Sequence, residues 1–373
     1  MVCLVVIIAP AQNSMYFDNH MPTPDKILII RFSSIGDIVL ASPLIRVLHK
    51  RFPSSHIDFV VRKDFAELVC YNPNLNHIYE FNAQGGFPEL HRLANAIRRE
   101  KYDLIIDIHN NLRSRYIRSF SRAKEVVTIN KRIYARTMLV RLKKNYYRDI
   151  VSVADRYIEP VITYGIENDA QGLEIFIPDE ILQKVSGIMS SLKLHVYGKV
   201  VGFCPSAKHA TKRWPQERFI EAGIRLVHEL RAKIILFGGK SDTVLCSTIT
   251  NGINKKIEGA CAVEYSDQFS LLETAAAMQF CNVIVTNDSG LMHITAAMKK
   301  NVVAIFGSTV REFGFFPVGT ENIVLERKGL YCRPCSHIGR SNCPEKHFRC
   351  MNETQVDEVV DSIKAADRGM KTG

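Results

Sequence analysis

No stretch of this sequence stays apolar for the roughly twenty residues that a helix needs to cross a bilayer. The apolar opening run, Val2–Ala9, is too short for that, and no basic residue precedes it as in a secretory signal. Short-period repeats and low-complexity tracts are also missing, which sets aside fibres and disordered tails. Acidic residues are the scarcer charge, with 38 Asp and Glu against 49 Lys and Arg, a formal net charge of +11 and a pI near 9.1. The ten cysteines are mostly single and set in apolar runs, as at Cys204, Cys246 and Cys281, where they read as small buried hydrophobes. These absences leave a globular chain expected in the cytoplasm.

With 373 residues the chain exceeds the size at which one core keeps growing, so two domains are expected. The positive charge is concentrated. From Arg92 to Arg148 there are 16 Lys and Arg against 4 Asp and Glu, enough to account for the whole excess. Either this half meets an anionic partner, or it is a solvated basic face.

Lys26–Phe32 (KILIIRF) reads as a strand buried on both faces. A helix follows, with Ile38, Ala41, Leu44, Ile45 and Leu48 spaced by three and four, and it is expected to end near Arg51. Further strands are predicted at Ile57–Val61 and Leu104–Ile108, with a helix from Pro88 to Glu100. After a connection that includes a helix from Asp179, the alternation restarts at Lys199 with VVGFCPS. Strands at Ile234–Phe237, Asn282–Thr286 and Val302–Phe306 then alternate with helices from Pro215, Ser270 and Leu291. This is the pattern of an α/β protein with two Rossmann-like, doubly wound parallel sheets facing a central cleft. The expected divisions are a dispensable extension at 1–24 with Met21 as a candidate start, domains at 25–180 and 181–350, and a helix and tail at 351–373. The helix at Glu353–Ala366 is expected to brace the first domain.

Three loops that follow strands carry chemistry-bearing residues. Ser33-Ser34-Ile35-Gly36-Asp37 combines a tight turn with a carboxylate at a helix start. Asp37 could take a proton from a hydroxyl, or merely complement the helix dipole with Ser34 as cap. Pro205–Pro215 places Ser206 and Lys212 before a helix, where phosphate oxygens are readily held, although an exposed lysine is equally consistent. Thr286–His293 (TNDSGLMH) supplies Asp288, Ser289, Gly290 and His293 at another helix start. Capping explains Asp288 and Ser289, but not the close succession of Gly290 and His293. Finally, Cys332, Cys335, Cys343 and Cys350 lie near His337 and His347. They are either a structural zinc site or packed free thiols.

Taken together, KILIIRFSSIGDIVLASPLIRVLHKRFP, TKRWP and VTNDSGLMHITAAMKKNVVAIFGST resemble the bacterial ADP-heptose:lipopolysaccharide heptosyltransferase family, glycosyltransferase family 9. The likeness runs from about Lys26 to Val360. It implies the two-domain GT-B architecture, inversion of the sugar's anomeric centre, a nucleotide-sugar donor (ADP-heptose) on the C-terminal domain and an acceptor on the N-terminal one. By this resemblance Asp37 is the catalytic base and Lys212 contacts the donor phosphate. Asp288, Ser289, Gly290 and His293 hold the diphosphate and its sugar, with Ser206 nearby. Ser34 and Gly36 fall on the acceptor side, and Arg113, Arg115 and Arg118 are the cations expected to reach an anionic lipopolysaccharide core at the inner-membrane surface. The family's acidic ribose contact after the next Gly-rich turn has no direct counterpart, since Lys240 stands there and Asp242 farther on. No Asp-x-Asp pair occupies a suitable loop, so no obligate metal is expected. Two other functions compete with sugar transfer: a nucleotide-sugar epimerase of the same build, and a basic nucleic-acid-binding protein, the latter without the stacking platform such proteins use.

Overall fold

The computed structural model describes residues 23–257 and 259–368. The extension expected at 1–24, Met21 included, lies outside the described residues except for its last two positions. Of those, Pro24 is tied into the protein, its carbonyl accepting a hydrogen bond from the buried Ser55 hydroxyl.

Two parallel sheets organise the chain. The first contains β1 (Lys26–Ile30), β2 (His56–Arg62), β3 (His77–Phe81), β4 (Leu104–Asp107) and β5 (Glu125–Thr128), in the order β3-β2-β1-β4-β5. The second contains β6 (Lys199–Cys204), β7 (Ala232–Leu236), β8 (Ala262–Glu264), β9 (Val283–Asn287), β10 (Asn301–Phe306) and β11 (Asn322–Glu326), in the order β11-β10-β9-β6-β7-β8. In both sheets the first strand of the unit sits beside the fourth. Strand order therefore reverses between β1 and β4 and again between β6 and β9. Ligands of doubly wound sheets bind outside the carboxyl ends of strands at such reversal points. All three chemistry-bearing loops leave strands that flank them: the first follows β1, the second β6 and the third β9. Cys204 lies opposite Thr286 in the ladder, so the second and third loops leave their sheet side by side.

In the first half the helices are α1 (Ile35–Val39), α2 (Ser42–Arg51), α3 (Gly86–Glu100), α4 (Leu112–Ser121), α5 (Ile133–Leu142) and α6 (Val153–Ile158). The helix expected from Asp37 to Arg51 is broken into α1 and α2. Pro43 is the cause, because its ring would collide with the Val39 carbonyl in an unbroken helix. That carbonyl accepts the Ser42 hydroxyl instead, at 2.7 Å. The second half adds α7 (Asp179–Ser191), α8 (Gln216–Leu230), α9 (Thr243–Asn254), α10 (Leu271–Met278), α11 (Gly290–Ala297), α12 (Arg349–Asn352) and α13 (Val356–Asp367).

The C-terminal helix does not brace the first domain. Val359, Val360 and Ile363 of α13 are buried with Val285 and Val303 of the second sheet. Lys364 pairs with Glu229 of α8 at 2.5 Å. The apolar stripe of α13 closes the core of the second sheet, and this fixes its destination. Between the sheets, one apolar cluster runs from Ile27 and Ile29 through Val185 and Met189 of α7 to Ala276 and Met278 of α10. Among the described residues no helix is long and apolar enough to cross a membrane.

Candidate active site

On the first sheet's side the site is built on α1. Asp37 reaches back to the start of its own helix, where its Oδ2 accepts hydrogen bonds from the Ser34 backbone N–H (3.0 Å) and the Ser34 hydroxyl (2.8 Å). Its Oδ1 meets the Arg31 guanidinium at 2.5 Å and the Tyr157 hydroxyl at 3.2 Å. Arg31 is fixed in turn by the Ile108 carbonyl (2.8 Å) and lies over the Tyr157 ring. Burial pushes the Asp37 carboxyl up, but Arg31 and the Ser34 donors outweigh it and hold the group below its ordinary value. Asp37 is thus a largely but not fully buried, charged and doubly oriented carboxylate.

The second sheet's side is built from the loops after β6 and β9. Asn287 joins them, its side chain accepting from the Trp214 N–H (3.1 Å) and donating to the Pro205 carbonyl (2.7 Å). Lys212 stands against Asp288 at 2.6 Å, and Asp288 also accepts the Thr309 hydroxyl at 2.5 Å. The ammonium is therefore held in one place by a buried carboxylate. His293 is buried and its Nδ1 has no partner among the described residues. Burial, only partly opposed by Asp288 and Asp37, pushes its pKa down to about 4. It is a neutral imidazole, able to give or take a hydrogen bond but not to supply charge.

The two halves touch at the starts of α1 and α11. A Cβ on Gly36 would come within 2.5 Å of the His293 ring, and one on Gly290 within 2.8 Å of Ile35. Two glycines allow the two helix N-termini to abut, and three cavities open around that contact. One, of about 370 Å³, is lined by Asp37, Tyr157, His109, Lys131, Arg136 and Arg156 among others. The second, of about 270 Å³, holds Asp37, Lys212, Asp288, Ser289, Gly290 and His293. The third, of about 610 Å³, runs past Ser206, Gly238, Gly239, Asp242, Phe269 and Gly290. Asp37 borders the first and second, and Gly290 the second and third. The three form a path across the cleft.

The structure brings together Ser34, Gly36, Asp37, Lys212, Asp288, Ser289, Gly290 and His293 around the second cavity. Ser206 lies apart on the third, where its hydroxyl is directed to Asp242 at 2.5 Å. Asp242 therefore does reach the third cavity, despite its distance from the Gly-rich turn in sequence. The three arginines expected at the acceptor do not line these cavities. Arg118 is engaged by the fully buried Asp107 at 3.3 Å, Arg113 lies over the Phe81 ring, and Arg115 is exposed on α4. Lys131 and Arg136, from the segment after β5, take the place expected of them. Arg156 also lines the first cavity, but its guanidinium is held by the Phe313 and Glu312 carbonyls.

The four late cysteines are free thiols that line one small cavity together with Arg333, Glu345 and His347 among others. Burial raises the thiols of Cys332, Cys335 and Cys350, the last to about 11. Among the described residues no group of three or more His, Cys, Asp or Glu is arranged to hold a metal, so zinc at these positions gains no support. The segment has another use. It delivers His337 and Ile338 to the wall shared by the first and second cavities.

Two doubly wound sheets that face a cleft, with an oriented carboxylate on one rim and an anchored lysine beside a glycine-opened helix start on the other, define a GT-B glycosyltransferase. A family model described as "Glycosyltransferase family 9 (heptosyltransferase)" matches residues 90–346. The chain belongs to that family and is a glycosyltransferase rather than an epimerase. It is 29% identical over 351 residues to lipooligosaccharide heptosyltransferase 2 of Haemophilus ducreyi, covering 91% of this chain and 98% of that one. Solved structures share its fold. A glycosyl transferase family 9 protein of Veillonella parvula superposes with a TM-score of 0.76 at 24% identity, over 92% of this chain and 98% of its own. The ADP-heptose lps heptosyltransferase II of E. coli superposes with a TM-score of 0.70 at 22% identity, over 92% and 99%.

Proposed function

We propose that this enzyme transfers a heptose, with inversion, from ADP-heptose to the anionic inner core of a lipid-borne lipopolysaccharide at the cytoplasmic face of the inner membrane. The observation that carries this reading is the position of Asp37 on the same cavity as Lys212 and Gly290. In this reading the N-terminal half receives the acceptor and the C-terminal half the donor. The names of the relatives supply the sugar and the nucleotide.

The chemistry follows from the groups present. The nucleoside lies along the third cavity, with Asp242 toward the ribose hydroxyls, and its diphosphate reaches Lys212 and the first N–H groups of α11. An acceptor hydroxyl in the first cavity attacks the anomeric carbon from the face opposite the diphosphate. As the new C–O bond forms, the bond to the phosphate oxygen breaks and its electron pair leaves on the nucleoside diphosphate. Lys212 and the helix N–H groups meet that charge. The hydroxyl becomes strongly acidic as it bonds to carbon, so a weakly basic Asp37 suffices to take its proton. His293 can donate one N–H to the diphosphate or the sugar, and Lys131 and Arg136 hold acidic groups of the acceptor.

The test is Asp37→Asn, assayed with ADP-heptose and a truncated core acceptor. Turnover is expected to fall by about 10²–10⁴, while ADP affinity measured by calorimetry stays within a few-fold of wild type. Turnover close to wild type would remove Asp37 from the base role.

A further inference from the structure

We propose that α5 and the segment after it, residues 133–148, form a docking surface for a membrane of anionic phospholipid. Helix α5 reads IYARTMLVRL, yet Leu139 alone of its ten residues is buried. Ile133 is 58% exposed, Tyr134 66% and Tyr146 50%. The Tyr134 and Tyr146 rings lie 5.6 Å apart, so residues from the helix and the following loop form one apolar ledge. Arg148 lines the same groove. Arg141 is exposed two helical turns along from Tyr134, on the same side.

Charge selects the occupant. Residues 131–150 contain seven Lys and Arg and one Asp. Arg132 is paired with Glu159, whereas Arg141, Lys144 and Arg148 are exposed. A protein partner would have to meet these clustered cations with acidic groups of its own, whereas an anionic lipid surface meets them as it stands. Exposed Ile and Tyr interleaved with cations suit the boundary between lipid headgroups and acyl chains. The position fits as well. Asn130 and Tyr147 line both this groove and the cavity that holds Asp37, so the ledge rims the mouth of that cavity. The match between this rim and an incoming acceptor rests on the acceptor reading above. The ledge itself rests on exposure and charge.

The test uses the full chain and phosphatidylcholine vesicles with and without phosphatidylglycerol, read by co-sedimentation. Binding is expected to the anionic vesicles, to weaken with salt, and to be absent from pure phosphatidylcholine. Arg141→Ala with Arg148→Ala should lower partitioning about thirtyfold, roughly fivefold for each cation. Ile133→Ser with Tyr134→Ser should lower it by about tenfold or more. Both double variants should keep the wild-type melting temperature and full transfer to a soluble core fragment. Equal binding to neutral vesicles, or anionic binding that neither pair alters, overturns the proposal. So does tight capture of an oligonucleotide through the same arginines without vesicle binding. Vesicle binding with no transfer to the soluble fragment would keep this surface and sink the sugar-transfer reading. Transfer without vesicle binding would do the reverse.

Discussion

At the scale of single residues, the site depends on ion pairs that fix charge in place. Arg31 makes Asp37 a poorer base but keeps it deprotonated, because the cation holds its carboxyl below the ordinary value against the effect of burial. The catalytic form should therefore survive as pH falls through the usual carboxylate range. In a profile of kcat/KM against pH, we expect a flat line from pH 8 to 4.5 in the wild type. In Arg31→Gln the burial remains and the cation is gone, so the Asp37 pKa rises and the acid limb moves up into that window. An unmoved limb would assign the acid limb to another group. Lys212 and Asp288 work as a unit of the same kind on the donor side. Both side chains are largely buried, 14% and 6% exposed. In Asp288→Asn the ammonium loses its counter-charge, which costs roughly 3–5 kcal/mol for a buried pair. Urea unfolding without ligand should report that loss. A change below about 1 kcal/mol would mean that water, not Asp288, carries Lys212.

At the scale of elements, the contact between the starts of α1 and α11 is the tightest constraint. A methyl group on Gly36 would sit 2.5 Å from the ring of the buried His293, so either the ring or the helix must give way. Gly36→Ala should therefore disturb this contact, raise KM for the donor and lower kcat together, with only a modest change in melting temperature. If kcat and KM stay at wild-type values, the two helix ends are not held together during turnover. The same scale explains what was readable in advance. The predicted strands were all interior ones, whose two buried faces give continuous apolar runs such as KILII. The four that escaped notice, β3, β5, β8 and β11, are the four sheet edges. They are short and poorly buried: HIYEF and NIVLE each bury a single residue, EVVT is largely exposed, and AVE has three residues. This bears on the first cavity, because the segment after β5 supplies Lys131 from its loop and Arg136 from α5, whereas the expected cations Arg113, Arg115 and Arg118 follow β4. Arg118 could not have been excluded from sequence, because its partner Asp107 is hidden at the end of an apparently ordinary strand. Tyr157 and Asn287 were equally invisible, since each acts by contacting residues more than seventy positions away.

At the scale of the whole molecule, a histidine that is buried while neutral sits where the two halves meet, and this ties stability to pH. His293 lies between the halves, with burial lowering its pKa to about 4, and His109 in the first cavity is lowered to about 3, also chiefly by burial. In the unfolded chain each imidazole takes up a proton near pH 6.5. Between roughly 6.5 and the folded value the unfolded state binds more protons, so folding weakens as pH falls through that interval and is unaffected above it. For His293 the full difference is on the order of 3 kcal/mol, of which about 2 kcal/mol is lost by pH 5. The depressed carboxyls of Asp37 and Asp169 act in a separate window. Their stabilisation is complete above the unfolded value near 4 and is lost only as pH falls further. Urea unfolding at pH 7.5 and pH 5 therefore isolates the histidines. We expect His293→Gln to lose about 2 kcal/mol less than the wild type between those two values, whatever its stability at pH 7.5. An identical loss in both proteins would mean that the imidazole is hydrated in the folded state. The junction between the two halves would then be open to water where it is now read as dry.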